Sequence, residues 1–196
     1  MRLDYPHFVL DLASIWRNNS PNSDAGQRDN MSTMKKLLIV YQSFTGGTAQ
    51  MAAAAAAGAA GVEDVATQLV TAAAAGPEML LASDGFLFAC PENLAAMAGL
   101  MKDFFDRSYY PVLEQLNGRP YATLICAGSD GSNAARQIER IATGWRLKEV
   151  APPLIVCTHA QTPEQILSPK QIGEAHLAQC RELGATIAAG LSLGLY

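Results

Sequence analysis

The sequence predicts an α/β protein whose parallel sheet is covered by helices on both faces. Short, continuous apolar runs such as KKLLIVYQ are typical of strands buried on both sides. These runs alternate along the chain with segments of helical pattern. Parallel strands need a crossover between them, and crossovers are nearly always right-handed. Five strands alternating with five helices therefore indicate a doubly wound sheet.

The first half of this pattern begins after two lysines. Residues 35–42 form the first predicted strand, and an alanine-rich helix follows from about Thr48. A half-polar strand is predicted at residues 64–69. Pro77 then occupies a position suited to the first turn of a short helix.

The second half repeats the alternation. The run DGFLFAC predicts a buried strand, and residues 92–107 predict an amphipathic helix with a core-facing stripe. A strand at residues 120–127 precedes a helix whose N-cap we expect to be Ser132 or Asn133. The run PPLIVCT is the fifth strand, and a closing helix is expected over residues 169–189. The stripe of the amphipathic helix consists of Leu94, Met97, Met101, Phe104 and Phe105.

The chain of 196 residues is long enough for one domain and an appendage. Residues 18–33 are polar and poor in apolar side chains, which is typical of a linker or a disordered segment. We therefore expect residues 1–33 to be a poorly ordered, dispensable N-terminal extension and residues 34–196 to be the folded domain.

Composition excludes several classes of partner. The formal net charge is −4 and no basic stripe is present, which argues against nucleic acid. No uncharged apolar run approaches the roughly 20 residues of a membrane-spanning helix. The four cysteines lie far apart, with no spacing typical of a metal site. Reduced cysteines in a chain of this size predict a cytoplasmic protein.

The loop after the first strand, SFTGGT, is suited to binding a phosphate group. Ser43, Thr45 and Thr48 provide hydroxyl groups, while Gly46 and Gly47 let backbone N–H groups approach closely. The helix that follows adds its unpaired N–H groups and the positive end of its dipole. The loop has no lysine, so it is not the phosphate loop of a nucleotide triphosphatase. An ordinary strand–helix turn with a capping threonine is the alternative.

Further motifs give this loop a family context. The pattern [ST]-x-T-G-x-T, the AC-P-x-N loop after the third strand, the MKDFFDR helix and the L-x-G-R-P turn all lie within residues 35–190. Together they resemble the flavodoxin-like flavoproteins, and most closely the NAD(P)H-dependent FMN or quinone reductases. The resemblance implies a flavodoxin-like, five-stranded parallel sheet of order 2-1-3-4-5 that binds FMN.

The resemblance also implies which residues bind the cofactor. The first loop would hold the FMN phosphate, and two later loops would run beside the isoalloxazine ring. Many reductases have a Tyr or Arg in the loop after strand three, whereas this chain has Glu92 and Asn93. The implied cofactor-binding residues are Ser43, Thr45, Gly46, Gly47, Thr48, Pro91, Glu92, Asn93, Leu94, Gly128, Ser129, Asp130 and Gly131.

The implied function is an FMN-dependent oxidoreductase that passes electrons from NAD(P)H to a quinone or a similar small acceptor. Electron-carrying flavodoxins usually enclose the ring between aromatic side chains, and PENLA and GSDGSNA contain none. A flavodoxin-type FMN carrier that serves a protein partner is the alternative. His159, beyond strand five, is either a proton donor or a loop residue without a catalytic task. The acceptor, the choice of NADH or NADPH, and a homo-oligomeric state stay open.

Overall fold

A computed structural model describes residues 34–196, and the predicted extension at residues 1–33 lies outside the described residues. The chain alternates strands and helices as the sequence predicts, with two short strands and one short helix in addition. The elements are β1 (Lys35–Tyr41), α1 (Gly47–Ala59), β2 (Val65–Thr71), α2 (Pro77–Leu81), β3 (Gly85–Asn93), β4 (Ala96–Met97), α3 (Gly99–Tyr109), β5 (Pro120–Ala127), α4 (Ser132–Gly144), β6 (Lys148–Glu149), β7 (Leu154–Cys157), α5 (Pro163–Leu167) and α6 (Glu174–Ser192).

The main strands form a parallel sheet in the order β2-β1-β3-β5, and both β6 and β7 pair with β5. The fifth predicted strand, PPLIVCT, is β7, and β6 is an additional short strand that pairs with the start of β5. Pro152 and Pro153 lie between β6 and β7, and proline has no N–H group with which to continue a ladder. The order β2-β1-β3-β5-β7 confirms the predicted order 2-1-3-4-5.

Alternating side chains of the central strands enter two separate cores. Leu38 and Val40 of β1 face an aromatic cluster that includes Phe88 and Trp145. Their neighbours Leu37 and Ile39 face the opposite side. Helices cover both faces, which confirms the doubly wound architecture.

Helices α1 and α6, which cover the second core, pack closely against each other. A Cβ atom on Gly58 would lie 2.0 Å from the carbonyl oxygen of Arg181, and one on Gly184 would lie 2.0 Å from that of Ala55. The alanine-rich sequence of α1 thus provides a smooth helix surface against which another backbone can approach.

Three local predictions are wrong. Residues 92–98 do not begin the amphipathic helix: β3 continues to Asn93 and turns back into β4, so α3 starts only at Gly99. Leu94 consequently lies fully exposed at the turn instead of in the core. The N-cap of α4 is Gly131, not Ser132 or Asn133, and the closing helix starts at Glu174 after an unpredicted α5.

Among residues 34–196, no helix is both long and apolar enough to cross a membrane.

Candidate functional site

Three loops meet at the carboxyl edge of the central strands. Tyr41 of β1 is in register with Ala89 of β3, and Pro91 of β3 with Cys126 of β5, so the three strands end side by side. The loops that follow them contain residues 43–48, 91–95 and 128–134. The chain continues from β1 to β2 on one side and returns to β3 on the other. The edge between β1 and β3 is therefore the topological switch point, where ligands of such sheets bind.

The first loop ends in an open helix N-terminus. Gly46 adopts a left-handed conformation with φ of +85°, and no side chain caps α1. Within residues 34–196, the N–H groups from Thr45 to Ala49 donate no hydrogen bond. These unpaired donors and the helix dipole together favour an anion at this position.

The glycine after this cap also has a packing role that the sequence does not reveal. A Cβ atom on Gly47 would lie 2.7 Å from Cys126 Sγ, so the loop rests directly on the end of β5. Thr48 is only 2% exposed. Burial raises the pKa of Cys126, and the nearby Lys170 ammonium opposes that rise. Packing against the end of β5 thus fixes the position of the first loop.

The second loop is a tight hairpin turn in strained conformation. Glu92 pairs with Met97 and Asn93 with Ala96, which leaves Leu94 and Ala95 as the two turn residues. Both have positive φ values, +51° and +55°, although turns of this kind favour Asn and Gly. Strain at an exposed position without packing around Leu94 is typical of functional sites.

The Glu92 carboxylate joins this hairpin to the third loop. Its two oxygens accept hydrogen bonds from the backbone N–H groups of Gly131, at 3.1 Å, and Ala134, at 2.9 Å. The side-chain amide of Asn133 donates to the Ala95 carbonyl, and the Met97 N–H donates to Gln137 at 2.9 Å. The hairpin and the first turns of α4 therefore form one bonded unit.

The third loop is organised around the turn before α4. Asp130 accepts hydrogen bonds from the N–H of Ser132, at 3.3 Å, and from its hydroxyl, at 2.8 Å. Gly131 has φ of +87°, and a Cβ atom there would lie 2.6 Å from Ile155 Cγ2. Asp130 thus has the turn-forming role that the Asp-Gly pair suggests, and Gly131 is required by its conformation and its surroundings.

Aromatic side chains lie away from these two loops. Tyr109 stacks on Trp145 at 6.0 Å between ring centroids, beside Gly144 at the far end of α4. Phe44, at 55% exposure, is the aromatic residue of the first loop. The described loops at residues 91–95 and 128–134 thus present the exposed Leu94 as their large apolar group.

Two arginines of the motifs that carry the family resemblance have structural roles. The Arg107 guanidinium donates to the carbonyl oxygens of Ala72 and Ala75 and anchors α3 beneath the end of β2. Arg119 donates to the carbonyl oxygens of Leu80 and Ser83 at the end of α2. Both motifs therefore identify the fold without contributing a reactive group to the site.

Sequence reasoning missed a segment that braces the first loop. Residues 168–173, which we call the strap, run past α1 toward α6. The Lys170 N–H donates to the Thr45 carbonyl at 2.7 Å, while the Gln50 side chain bonds to the Lys170 carbonyl at 2.7 Å and the Ile172 N–H at 3.1 Å. The strap is separated from the loop by more than one hundred residues, so no local pattern indicates this contact.

The comparisons with known proteins agree with this architecture. Residues 70–161 match the model of the NADPH-dependent FMN reductase family. That segment includes the second and third loops. No curated protein matches the chain.

Solved structures share the fold at low sequence identity. A flavodoxin from the domain Archaea is 19% identical over 80% of this chain and 99% of its own, with a TM-score of 0.62. A flavodoxin, WrbA-like protein from Agrobacterium tumefaciens is 19% identical over 81% of this chain and 98% of its own, with a TM-score of 0.61. Rubredoxin oxygen:oxidoreductase from Desulfovibrio gigas is 16% identical over 83% of this chain and 38% of its own, with a TM-score of 0.65. The chain thus has the flavodoxin-like fold, and its residues 70–161 have the sequence pattern of the NADPH-dependent FMN reductase family.

Proposed function

We propose that the protein is an FMN-dependent oxidoreductase that passes electrons from NAD(P)H to a quinone or a similar small acceptor. The observation that carries this proposal is the open N-terminus of α1 at the switch point of the sheet. The family match of residues 70–161 supports FMN as the cofactor and suggests NADPH as the electron donor.

The first loop would hold the FMN phosphate. Unpaired N–H groups from Thr45 to Ala49 face no acceptor of the described chain, and a phosphate dianion supplies several acceptor oxygens. The hydroxyls of Ser43 and Thr45 lie in half-buried positions, where charge-assisted hydrogen bonds are stronger than in open water. Gly46 and Gly47 keep the approach free of side chains, and Thr48 supplies the first turn of the helix.

The isoalloxazine ring would lie between the second and third loops. Glu92 fixes the distance between these two loops because its carboxylate bonds to the backbone of the third loop and the start of α4. Within the described chain, the N–H groups of Leu94 and Ala95 have no acceptor and are available to the polar edge of the ring. The residues assigned to these walls are Pro91, Glu92, Asn93, Leu94, Gly128, Ser129, Asp130 and Gly131.

A reductase fits this site better than an electron carrier does. FMN supplies the hydride and electron transfer when it is bound, and the protein supplies position and electrostatics. The walls have no aromatic side chain to cover the ring, which leaves a face accessible to a nicotinamide or a quinone. The exposed Leu94 and Phe44 add apolar surface on which an aromatic acceptor can pack.

Steady turnover of NADPH in the presence of FMN and benzoquinone is the expected result for the purified protein. The rate of nicotinamide oxidation, followed by absorbance, should saturate with quinone and should be absent without FMN. NADH in place of NADPH determines the donor preference. FMN binding without oxidation of either nicotinamide would contradict the reductase and favour the carrier. A protein that binds neither FMN nor riboflavin would refute both.

A further inference from the structure

A cavity of about 430 Å³ lies beyond the end of β7, between that strand and the strap. Its walls are the end of β7, the turn that follows β7, Gln165 of α5, the strap and the first turn of α6. None of the proposed FMN-binding residues lines it. The lining residues are Val156, Cys157, Thr158, His159, Ala160, Gln165, Ser168, Pro169, Lys170, Gln171, Ile172, Gly173 and His176.

The ionisable side chains of this cavity are basic apart from one thiol. The chain contains three histidines, and the two that the structure describes, His159 and His176, both line it. Lys170 adds a third nitrogen base, and no Asp or Glu is among the lining residues. Such a concentration is unexpected in a protein with a formal net charge of −4.

Carboxylates on the surrounding elements do not neutralise this cluster. Glu174 in the first turn of α6 forms an ion pair with Arg181. Glu164 of α5 does not line the cavity, although its neighbour Gln165 does. The Lys170 charge therefore has no carboxylate partner among the lining residues.

Lys170 contributes a positive charge to the cavity, but its ammonium group has no N–H left to donate to a ligand. Its ammonium group donates to the carbonyl oxygens of Gln165, at 2.5 Å, Ile166, at 2.9 Å, and Ser168, at 2.7 Å. These bonds fix the end of α5 against the strap. Because all three of its protons are used, the hydrogen bonds to a ligand come from other lining groups, among which the His159 and His176 imidazoles are exposed and able to donate.

His159 is held in an uncommon backbone conformation. Its φ is +55°, while its N–H donates to the Gly128 carbonyl at 2.8 Å and the preceding Thr158 N–H donates to the Ala127 carbonyl at 2.8 Å. These bonds anchor the turn to the end of β5. Side chains in left-handed positions are uncommon and cluster at functional sites.

We propose that this cavity is a second anion site, which binds a phosphate dianion through His159 and His176. Imidazole N–H groups donate hydrogen bonds, and the nearby Lys170 charge favours a dianion. Two sources share this chemistry: the 2′-phosphate of NADPH, or free phosphate. The first source rests on the proposed function, and the second is independent of it.

The direct test is calorimetric titration of the full chain with inorganic phosphate and with 2′-AMP. Loss of one imidazole donor should weaken binding by about one to two powers of ten, since a hydrogen bond to a charged group contributes about 1.5–3 kcal/mol. The variants are His176→Gln and His159→Asn, because asparagine tolerates positive φ. Arg140→Gln, which removes an exposed charge from α4, is the matched control and should leave binding nearly unchanged.

The variant Thr45→Ala distinguishes phosphate binding in this cavity from phosphate binding at the first loop. Loss of phosphate binding in the histidine variants, with binding kept in Thr45→Ala, assigns the anion to the cavity. The reverse pattern, or equal loss in Arg140→Gln, would overturn the inference. This outcome does not depend on whether FMN binds or NADPH is oxidised, so it is distinct from failure of the proposed function.

A comparison of KM for NADPH with KM for NADH identifies the source of the phosphate. If His176→Gln raises KM for NADPH about tenfold and leaves KM for NADH unchanged, the 2′-phosphate is the ligand. If both KM values stay unchanged while inorganic phosphate binding is lost, free phosphate is the ligand. Either result supports the anion site.

Discussion

Helices α1 and α4 begin in nearly the same way but differ in what satisfies their N-termini. Each has 13 residues and follows a parallel strand of the central sheet. Each starts after a left-handed glycine, Gly46 with φ and ψ of +85° and −13°, and Gly131 with +87° and −11°. Neither has a capping side chain of its own. The backbone alone does not distinguish them.

The difference lies in the carboxylates around them. At α4, Glu92 accepts from Gly131 and Ala134, and Asp130 accepts from Ser132, so the helix end is already neutralised by the chain. At α1, the corresponding N–H groups meet no acceptor within residues 34–196. A doubly wound sheet presents several helix N-termini at one edge. Here the resident carboxylates decide which of them stays available to an anionic ligand.

The largest effect is expected when each left-handed glycine is replaced by alanine. Alanine in this conformation costs about 1–2 kcal/mol at either site. Gly131→Ala adds overpacking of about 1–3 kcal/mol, because its Cβ would lie 2.6 Å from Ile155 Cγ2, whereas that of Gly46→Ala would lie 3.8 Å from its nearest neighbour, Gln50 Nε2. Urea denaturation of the cofactor-free proteins should therefore show the greater loss of unfolding free energy for Gly131→Ala.

Gly99→Ala is the control for this pair. Gly99 is the first residue of α3, and a Cβ atom there meets nothing within 4 Å. Its unfolding free energy should stay the same or rise slightly. Equal losses in Gly46→Ala and Gly131→Ala would mean that the two caps do not differ in packing.

The next effect concerns the open helix end. Thr45→Ala removes a hydroxyl from the proposed phosphate site, and a hydrogen bond to a charged group contributes about 1.5–3 kcal/mol. FMN affinity, measured by flavin fluorescence titration, should fall by about one to two powers of ten. Riboflavin, which has no phosphate, should bind as before.

Thr143→Ala serves as the matched substitution, since Thr143 is exposed in the last turn of α4 at the opposite edge of the sheet. Thr143→Ala should change neither the FMN titration nor the riboflavin titration. If Thr45→Ala left the FMN titration curve unchanged, the first loop would not be the phosphate site.

The smallest effect on stability is expected at the N-terminus of α4, where Glu92 accepts from the helix N–H groups. Glu92→Ala removes the acceptor of two N–H groups of α4, and loss of a helix cap costs about 0.5–2 kcal/mol of stability. Glu92→Gln keeps one acceptor oxygen and should lose less. Glu139→Ala, at an exposed position on the same helix, should be nearly neutral. Unfolding curves that are the same for Glu92→Ala and Glu139→Ala would show that Glu92 does not cap α4.

The sequence by itself determined the architecture and the position of the first loop. Buried apolar runs, helical periodicity and crossover rules predict the alternation of strands and helices and the start of α1 near Thr48, and the motifs of the family resemblance imply the strand order. The same rules failed at residues 92–98. There the helical spacing of Leu94 and Met97 is real, but two bonds to α4 stabilise the hairpin: Glu92 accepts from the Ala134 N–H, and the Met97 N–H donates to Gln137. No local pattern contains these contacts.

Only the tertiary structure decided which groups surround each helix N-terminus. Glu92 is 39 residues from Gly131, and Gln50 is 120 residues from Lys170, yet each pair is in hydrogen-bond contact. Such contacts depend on the meeting of strand ends and on the path of the strap. The two histidines illustrate the same limit: His159 lies in the turn after β7 and His176 lies in α6, and the fold alone brings them to one cavity. Periodicity determines the elements because it reports burial within one segment, whereas charge and donor placement at a site depend on segments that are distant in sequence.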